Sequence, residues 1–292
     1  MLVCFDIDGM VRKQNLHDEY DIQYIKCRDL EEDIKYSIEE YDELDRLNSS
    51  SNMKDWFDPN QFNISLLGSG SYHHFTMFII EKITKPFYLI DFDWHYDAGV
   101  SRWQWQRDKK QELMETGQLK IKGGGCRYNF GGWTIPAALL PNCKGILMIG
   151  MGGGHGDWER KWALGPNPKE DYNIDVISSG ENYYWFDQKI KSIIPDDIDI
   201  YITVCKDVLN KHEVLTDWNN GEMTQVELLH MLSAIKVMYG DRICGVDICG
   251  EKAKYNSWFD DEGEFIHNNI VRHKLLNKNI IDLFGGKELY GK

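Results

Sequence analysis

Apolar residues fall along the chain in short continuous runs, and these runs set the reading of everything between them. Residues 2–7 (LVCFDI), 64–67, 87–90, 144–150 (KGILMIG), 174–177, 198–204 (IDIYITV) and 243–248 are rich in Ile, Val, Leu and Phe and give way to Gly, Asp or Ser. That is the pattern of strands buried on both faces. Helical spacing fills the intervals. It spans 29–47 (Leu30, Ile34, Ile38, Tyr41, Leu44 on a dense acidic background), opens again at Phe75, Phe78 and Ile79, and runs over 101–116 until Gly117 and over 181–194 until Pro195. A capping box from Thr224 to Glu227 starts another helix, with Val226, Leu229, Leu232, Ile235 and Met238 in register, and 268–283 closes the chain as an amphipathic helix. Residues 48–60 read as loop.

Strands alternating with helices predict an α/β fold: three layers, α/β/α, around a mostly parallel central sheet, with residues 1–292 forming a single domain. In such a sheet the carboxyl ends of the strands share one crevice, and the polar clusters of this chain gather at those ends. After the strand at 87–90 comes DFDWHYD, in which residues two apart point the same way in extended chain. Asp93, His95 and Asp97 therefore aim at one point, with Asp91 nearby. Buried carboxylates brought that close cost several kcal/mol each unless a cation neutralises them, so the cluster reads as half of a metal site. GSGSYHH places His73 and His74 between a strand end and a helix start, Cys205 and Asp207 project together after 198–204 with Lys206 facing away, and Glu251 follows 243–248. His155 and Asp157 lie in the glycine-rich loop after 144–150, a candidate substrate loop.

Composition narrows the chemistry. A net charge of −14 and a pI near 5.1 leave no basic stripe for nucleic acid and are compatible with a cationic substrate. Seven cysteines with no Cys-x-x-Cys pair make neither a disulfide framework nor a zinc ribbon, which fits a reducing cytoplasm. Asp6 and Asp8 interrupt the first apolar run, so it is no signal peptide, and no segment is apolar enough to span a bilayer. No dinucleotide fingerprint or P-loop opens a helix.

The order strand-G-x-G-His, strand-D-x-H-x-D, strand-x-D, helix, strand-Glu resembles the arginase and agmatinase ureohydrolases, which share their fold with the deacetylase-like enzymes. GSGSYHHFT, DFDWHYD, FGGWT and the GEMT helix look closer to the peptide arginases, which convert arginine residues of ribosomally made peptides to ornithine. The resemblance covers about residues 64–251. It implies two Mn2+ ions held by Asp93, His95, Asp97, Asp207 and one histidine of the 73–74 pair, His74 being preferred. It also implies hydroxide attack on a guanidinium carbon, Glu251 holding the cation through paired hydrogen bonds, Asp97 carrying the departing proton, and a partner that is an arginine-containing peptide or small guanidino compound. Aromatic residues at Trp103, Trp105, Tyr183, Tyr184 and Trp185 would line a groove for a peptide. A homo-oligomer is compatible with this reading. One position departs: the first acid of the family's D-x-D falls on Cys205, a softer ligand that favours zinc or iron over manganese or marks a catalytically impaired binding protein. Two other activities compete: deacylation on the same fold, and a haloacid-dehalogenase-type phosphatase, since the D-x-D-G of Asp6 and Asp8 resembles the start of that family.

Overall fold

In the computed structural model, residues 1–5, 8–25, 58, 61–98, 131–152, 164, 167–181, 185–252 and 263–285 are described. The strands are β1 (Leu2–Phe5), β2 (Ile22–Ile25), β3 (Asn63–Ser69), β4 (Phe87–Phe92), β5 (Cys143–Met151), β6 (Ile174–Ser178), β7 (Asp199–Cys205) and β8 (Ile243–Glu251). They form one eight-stranded sheet in the order β2-β1-β3-β8-β7-β4-β5-β6, and every pairing between these strands is parallel. The helices are α1 (Phe75–Ile80), α2 (Thr134–Ala138), α3 (Pro168–Tyr172), α4 (Phe186–Ile193), α5 (Gln225–Tyr239) and α6 (Gly263–Gly285). No helix of the described residues is long and apolar enough to cross a membrane.

Alternation along the strands builds two cores. Ile90, Phe92, Ile200, Ile202 and Val204 pack with Phe186 and Ile190 of α4, Leu232 and Ile235 of α5, and Leu276 and Ile280 of α6. Their neighbours Phe87, Leu89, Met148 and Tyr201 pack on the other face with Phe75, Met77 and Ile79 of α1 and Ile135 of α2. A strand buried on both faces has no polar side to display, which is why the apolar runs are continuous. The layers are those the sequence predicts.

Details differ. The capping box forms, with the Thr224 hydroxyl accepting from the Glu227 amide and the Glu227 carboxylate accepting from the Thr224 amide, but the buried stripe of α5 is Leu228, Met231, Leu232, Ile235 and Tyr239. Val226, in register by period, is 77% exposed, because α5 meets α4 and α6 along the neighbouring face. The edge strand β2, of 4 residues, and the helices α2 and α3, of 5 residues each, are too short to show a period. The helices expected over 29–47 and 101–116, Asp6 of the D-x-D-G motif, the loop residues His155 and Asp157, and Trp103, Trp105, Tyr183 and Tyr184 lie outside the described residues. Trp185 is largely exposed at the start of α4.

Candidate metal centre

The strand order sets β3, β8, β7 and β4 side by side, so the segments leaving their carboxyl ends meet. From β3 the chain makes a single 3-10 turn, Gly70–Tyr72, that delivers His73 over β7 and β4. There His73 Nε2 lies 2.9 Å from Thr203 Oγ1 of β7 and 3.8 Å from Asp91 Oδ1 of β4. His73 Nδ1 faces the next loop, 2.7 Å from Asp93 Oδ2 and 3.4 Å from Asp97 Oδ2.

β4 stops at Phe92, and the D-x-H-x-D residues converge by a turn and not by strand alternation. Asp93 Oδ1 accepts the His95 amide at 2.7 Å, a local Asx-type closure that curls the chain back. Asp97 takes a left-handed backbone, φ 43°. Its carbonyl accepts the amides of Trp133 and Thr134 at 2.9 and 3.2 Å, and its Oδ2 accepts the Trp133 indole N–H at 2.9 Å. Trp133 and Thr134 thus form a brace that holds Asp97 in place. The His95 imidazole turns to β7's exit, with Nδ1 3.0 Å from Asp207 Oδ2 and 3.7 Å from Asp93 Oδ1. Asp207 sits in the 3-10 turn Lys206–Val208, directly after Cys205 ends β7.

The sequence-predicted residues therefore divide. His73, Asp93, His95, Asp97 and Asp207 come together, and Cys205 adjoins them. His74, preferred over His73 by motif alignment, does not join them: the turn at 70–72 rotates it onto the Phe75 ring, with centroids 5.2 Å apart, and burial pushes its pKa down to about 3. Lys206 does face away. It forms a fully buried ion pair with Glu251 Oε1, which also accepts Asn277 Nδ2 at 2.9 Å and Gln14 Nε2 at 3.1 Å. The paired hydrogen bonds assigned to Glu251 are accordingly reduced to one oxygen, Oε2, which is buried and has no hydrogen-bond partner. Gly250, at φ 97°, turns the strand here, and any Cβ on it would run into Lys206.

Sequence reasoning missed the layer beneath. Asp247 of β8 accepts three hydroxyls, from Thr203 at 2.6 Å, Tyr201 at 3.0 Å and Thr76 at 3.1 Å. With its proton given to Asp247, Thr203 accepts from His73 Nε2–H, which leaves the Nδ1 lone pair aimed at Asp93 and Asp97. That atom is buried and has no hydrogen-bond partner. A carboxylate relay fixing the tautomer of an imidazole whose other nitrogen points into a nest of carboxylates is how proteins orient metal-binding histidines. The signal in the sequence was an aspartate in the middle of a buried strand.

Electrostatics points the same way. Burial raises Asp91 well above the ordinary carboxylate range, and Asp93 and Asp97 add to it; burial and Asp93 push Asp207 up to about 6. Burial works against charge on His95, but its hydrogen bonds to the Asp207 and Asp93 carboxylates push it up to about 11. His73 is more deeply buried than His95, yet Cys249, Asp93 and Asp97 hold it well above the usual imidazole value. The crowded carboxylates draw positive charge onto the two imidazoles beside them, His73 and His95. A divalent ion meets that demand, and three overlapping triads have ligand atoms within 4.8 Å of one another: His73–Asp91–Asp93, Asp93–His95–Asp207 and His73–Cys205–Cys249. The donor set fits a metal centre.

Beside His95 lies a cavity of about 920 Å³, with Trp94, Trp218, Asn210, Asn220 and Glu222 among its walls. Of the two aspartates behind the phosphatase alternative, Asp8 is among the described residues. Asp8 Oδ1 and Oδ2 accept the amides of Met10 and Ser69 at 3.0 and 2.8 Å, tying the exit of β1 to the end of β3.

No protein-family model matches the chain. An uncharacterized protein of Thermotoga maritima is 25% identical over 234 residues, 80% of this chain and 76% of that protein. Among solved structures, arginase from Helicobacter pylori superposes with a TM-score of 0.60 at 13% identity, covering 96% of this chain and 99% of that one. The agmatine ureohydrolase of Thermoplasma volcanium superposes at 0.58 and 14% identity, covering 97% and 89%. The parallel sheet and its flanking helices are thus the arginase-like α/β fold, which the ureohydrolases share.

Proposed function

We propose that the chain is a metal-dependent hydrolase of guanidino groups, and that its substrate is arginine within a peptide, converted to ornithine with release of urea. The convergence of His73, Asp93, His95 and Asp207 from β3, β4 and β7, beside a cavity, carries this reading. Asp93, His95, Asp97, Asp207, His73 and Cys205 would hold the metal. When bound, a divalent ion makes hydroxide available near neutral pH by lowering the pKa of water from about 15.7 toward about 7. Mn2+, two ions per chain, is the choice the resemblance implies, with Cys205 as the position that argues otherwise.

The protein's own groups account for the rest of the reaction. Water adds to the guanidinium carbon, the C–N bond to the side chain breaks, and the departing nitrogen takes a proton to leave as the ornithine amine. Asp97 is placed to carry that proton: burial and Asp93 raise its pKa, while the Trp133 indole fixes its orientation. Glu251 Oε2, a buried oxygen in want of a donor, would accept one guanidinium N–H. His95, about a third exposed, stands between the cluster and the cavity and marks where substrate enters.

The size and lining of the cavity support a peptide over free arginine. Pockets that enclose drug-sized ligands run roughly 300–1,000 Å³, so this one exceeds the need of a single amino acid. Trp94 and Trp218 offer flat apolar walls, and Asn219 adds a polar side chain among them, while Asn210 and Asn220 tie the loop to its own backbone. Incubating the protein and Mn2+ with an arginine-containing peptide, with free arginine and with agmatine, and following urea colorimetrically and the peptide by mass spectrometry, tests both levels. Urea from the peptide with Arg converted to Orn is the expected result. Urea from free arginine alone removes the peptide assignment, and no urea from any guanidino compound removes the function.

A further inference from the structure

We infer that the metal centre has an inner, thiolate-rich subsite built from His73, Cys205 and Cys249, which takes a thiophilic divalent ion such as zinc, next to an outer subsite of harder ligands, Asp93, His95 and Asp207. This rests on the metal-centre reading above and assigns Cys249 a role that the sequence did not suggest.

Cys205 and Cys249 are direct partners in the β7–β8 register, so their side chains rise from the same face of the sheet. Their sulfurs and a His73 nitrogen lie within 4.8 Å of one another, and all three residues are buried. Ligand atoms around a tetrahedral zinc stand roughly 3.5 Å apart, so a small contraction closes the set. Asp93 belongs to the other two triads and stands 2.7 Å from His73 Nδ1, which makes it both the fourth ligand and the link to the outer subsite.

Two buried cysteines side by side are often no more than small apolar side chains. Two observations separate this pair from that case. His73 Nδ1 is a buried nitrogen with no hydrogen-bond partner, held in position by the Thr203–Asp247 relay. The space over Cys205 is also kept clear by Gly70, where a Cβ would stand 3.5 Å from Cys205 Sγ and only 3.0 Å from the Trp218 ring. Cys4 and Cys143, equally buried, belong to none of the ligand triads found among the described residues.

Ligand chemistry then sorts the ions. Thiolate and imidazole favour zinc or iron, whereas carboxylate and imidazole accept manganese. Both thiols give up their protons to solvent as the metal enters, and nothing is oxidised.

Cobalt(II) reports the ligands directly. The whole chain, stripped with chelator and titrated with Co2+, should develop the near-ultraviolet sulfur-to-cobalt charge-transfer band. Cys249→Ser and Cys205→Ser should each lose about half of it or more, and Cys143→Ser should keep it. Equilibrium dialysis against mixed Zn2+ and Mn2+ should load zinc in the parent, and Cys249→Ser should weaken zinc binding by about 100-fold or more while the outer subsite still takes one ion. Circular dichroism checks that each variant is folded, and the parent's own spectrum decides the matter if a variant is not. Cobalt that binds without a sulfur band overturns the inner subsite, even if urea is still released. Absence of both metal binding and urea release overturns the underlying function instead.

Discussion

Replacing Thr203 by Val tests the relay that aims His73. Val is nearly isosteric with Thr, so packing in the strand is kept and one hydroxyl is lost. Three hydrogen-bond contacts go with it: the 2.9 Å contact that accepts His73 Nε2–H, the 2.6 Å bond donated to Asp247 and the 3.3 Å contact with the Thr76 hydroxyl. Without the acceptor the ring is free to place its proton on Nδ1, the atom required as a ligand. Losing the outer partner of a metal-binding histidine costs about 10–100-fold in metal affinity, or about 1.4–2.7 kcal/mol. The metal-free protein also suffers, because each buried polar group left unsatisfied costs about 1–3 kcal/mol, a drop of several degrees in Tm for a chain of this size. Affinity should be measured by chelator competition, on protein shown to be folded by circular dichroism, with Thr203→Ser alongside. Serine restores the hydroxyl and should return affinity to within a few-fold of the parent. If Thr203→Val binds metal within about twofold of the parent, the relay does not set the histidine's tautomer and the reasoning fails.

His73→Ala should abolish stoichiometric metal retention after dialysis while His74→Ala retains it, because only His73 reaches Asp93 and Asp97; the opposite pattern in metal analysis would reverse the assignment. Lys206→Met leaves Glu251 buried without its counter-charge and should destabilise the fold by about 3–5 kcal/mol in urea titrations, with much of the loss recovered when Glu251→Leu is added; an unchanged midpoint for the single variant would contradict the pair's burial. His273 donates from Nε2 to the Leu215 carbonyl at 2.9 Å, and burial, with Lys206 nearby, depresses its pKa from 6.5 to about 4. A depressed histidine stabilises the folded state fully above its unfolded pKa and loses that contribution as pH falls toward the folded value. The stability of the parent relative to His273→Gln should therefore drop by about 3 kcal/mol between pH 7 and pH 4. A difference that does not change with pH would mean that folding leaves the pKa of the ring at its unfolded value.

How far the sequence could carry these conclusions depends on whether a residue's role is local. Strands buried on both faces announce themselves, because continuous Ile, Val and Leu is the only pattern that satisfies both layers, and D-x-H-x-D is dense enough in ligands to be noticed even though its geometry is a turn closed by Asp93 and a left-handed Asp97. The choice between His73 and His74 was not local. It depends on one 3-10 turn, in which successive side chains are rotated by about 120°, and either alignment of the motif is acceptable until that turn is fixed. Cys249 and Asp247 were hidden for a different reason. Within a strand a cysteine reads as a small apolar residue and a lone aspartate as an interruption, and each acquires meaning only when β8 lies in register with β7, which puts Cys249 against Cys205 and Asp247 against Thr203. Pairing between parallel strands joins segments separated by a helix, so no window of sequence contains both partners. A charge in the middle of a doubly buried strand can nonetheless be searched for directly. The fold tolerates it only where several hydroxyls or a cation compensate, and at Asp247 the compensating groups lead to His73, the histidine proposed as a metal ligand.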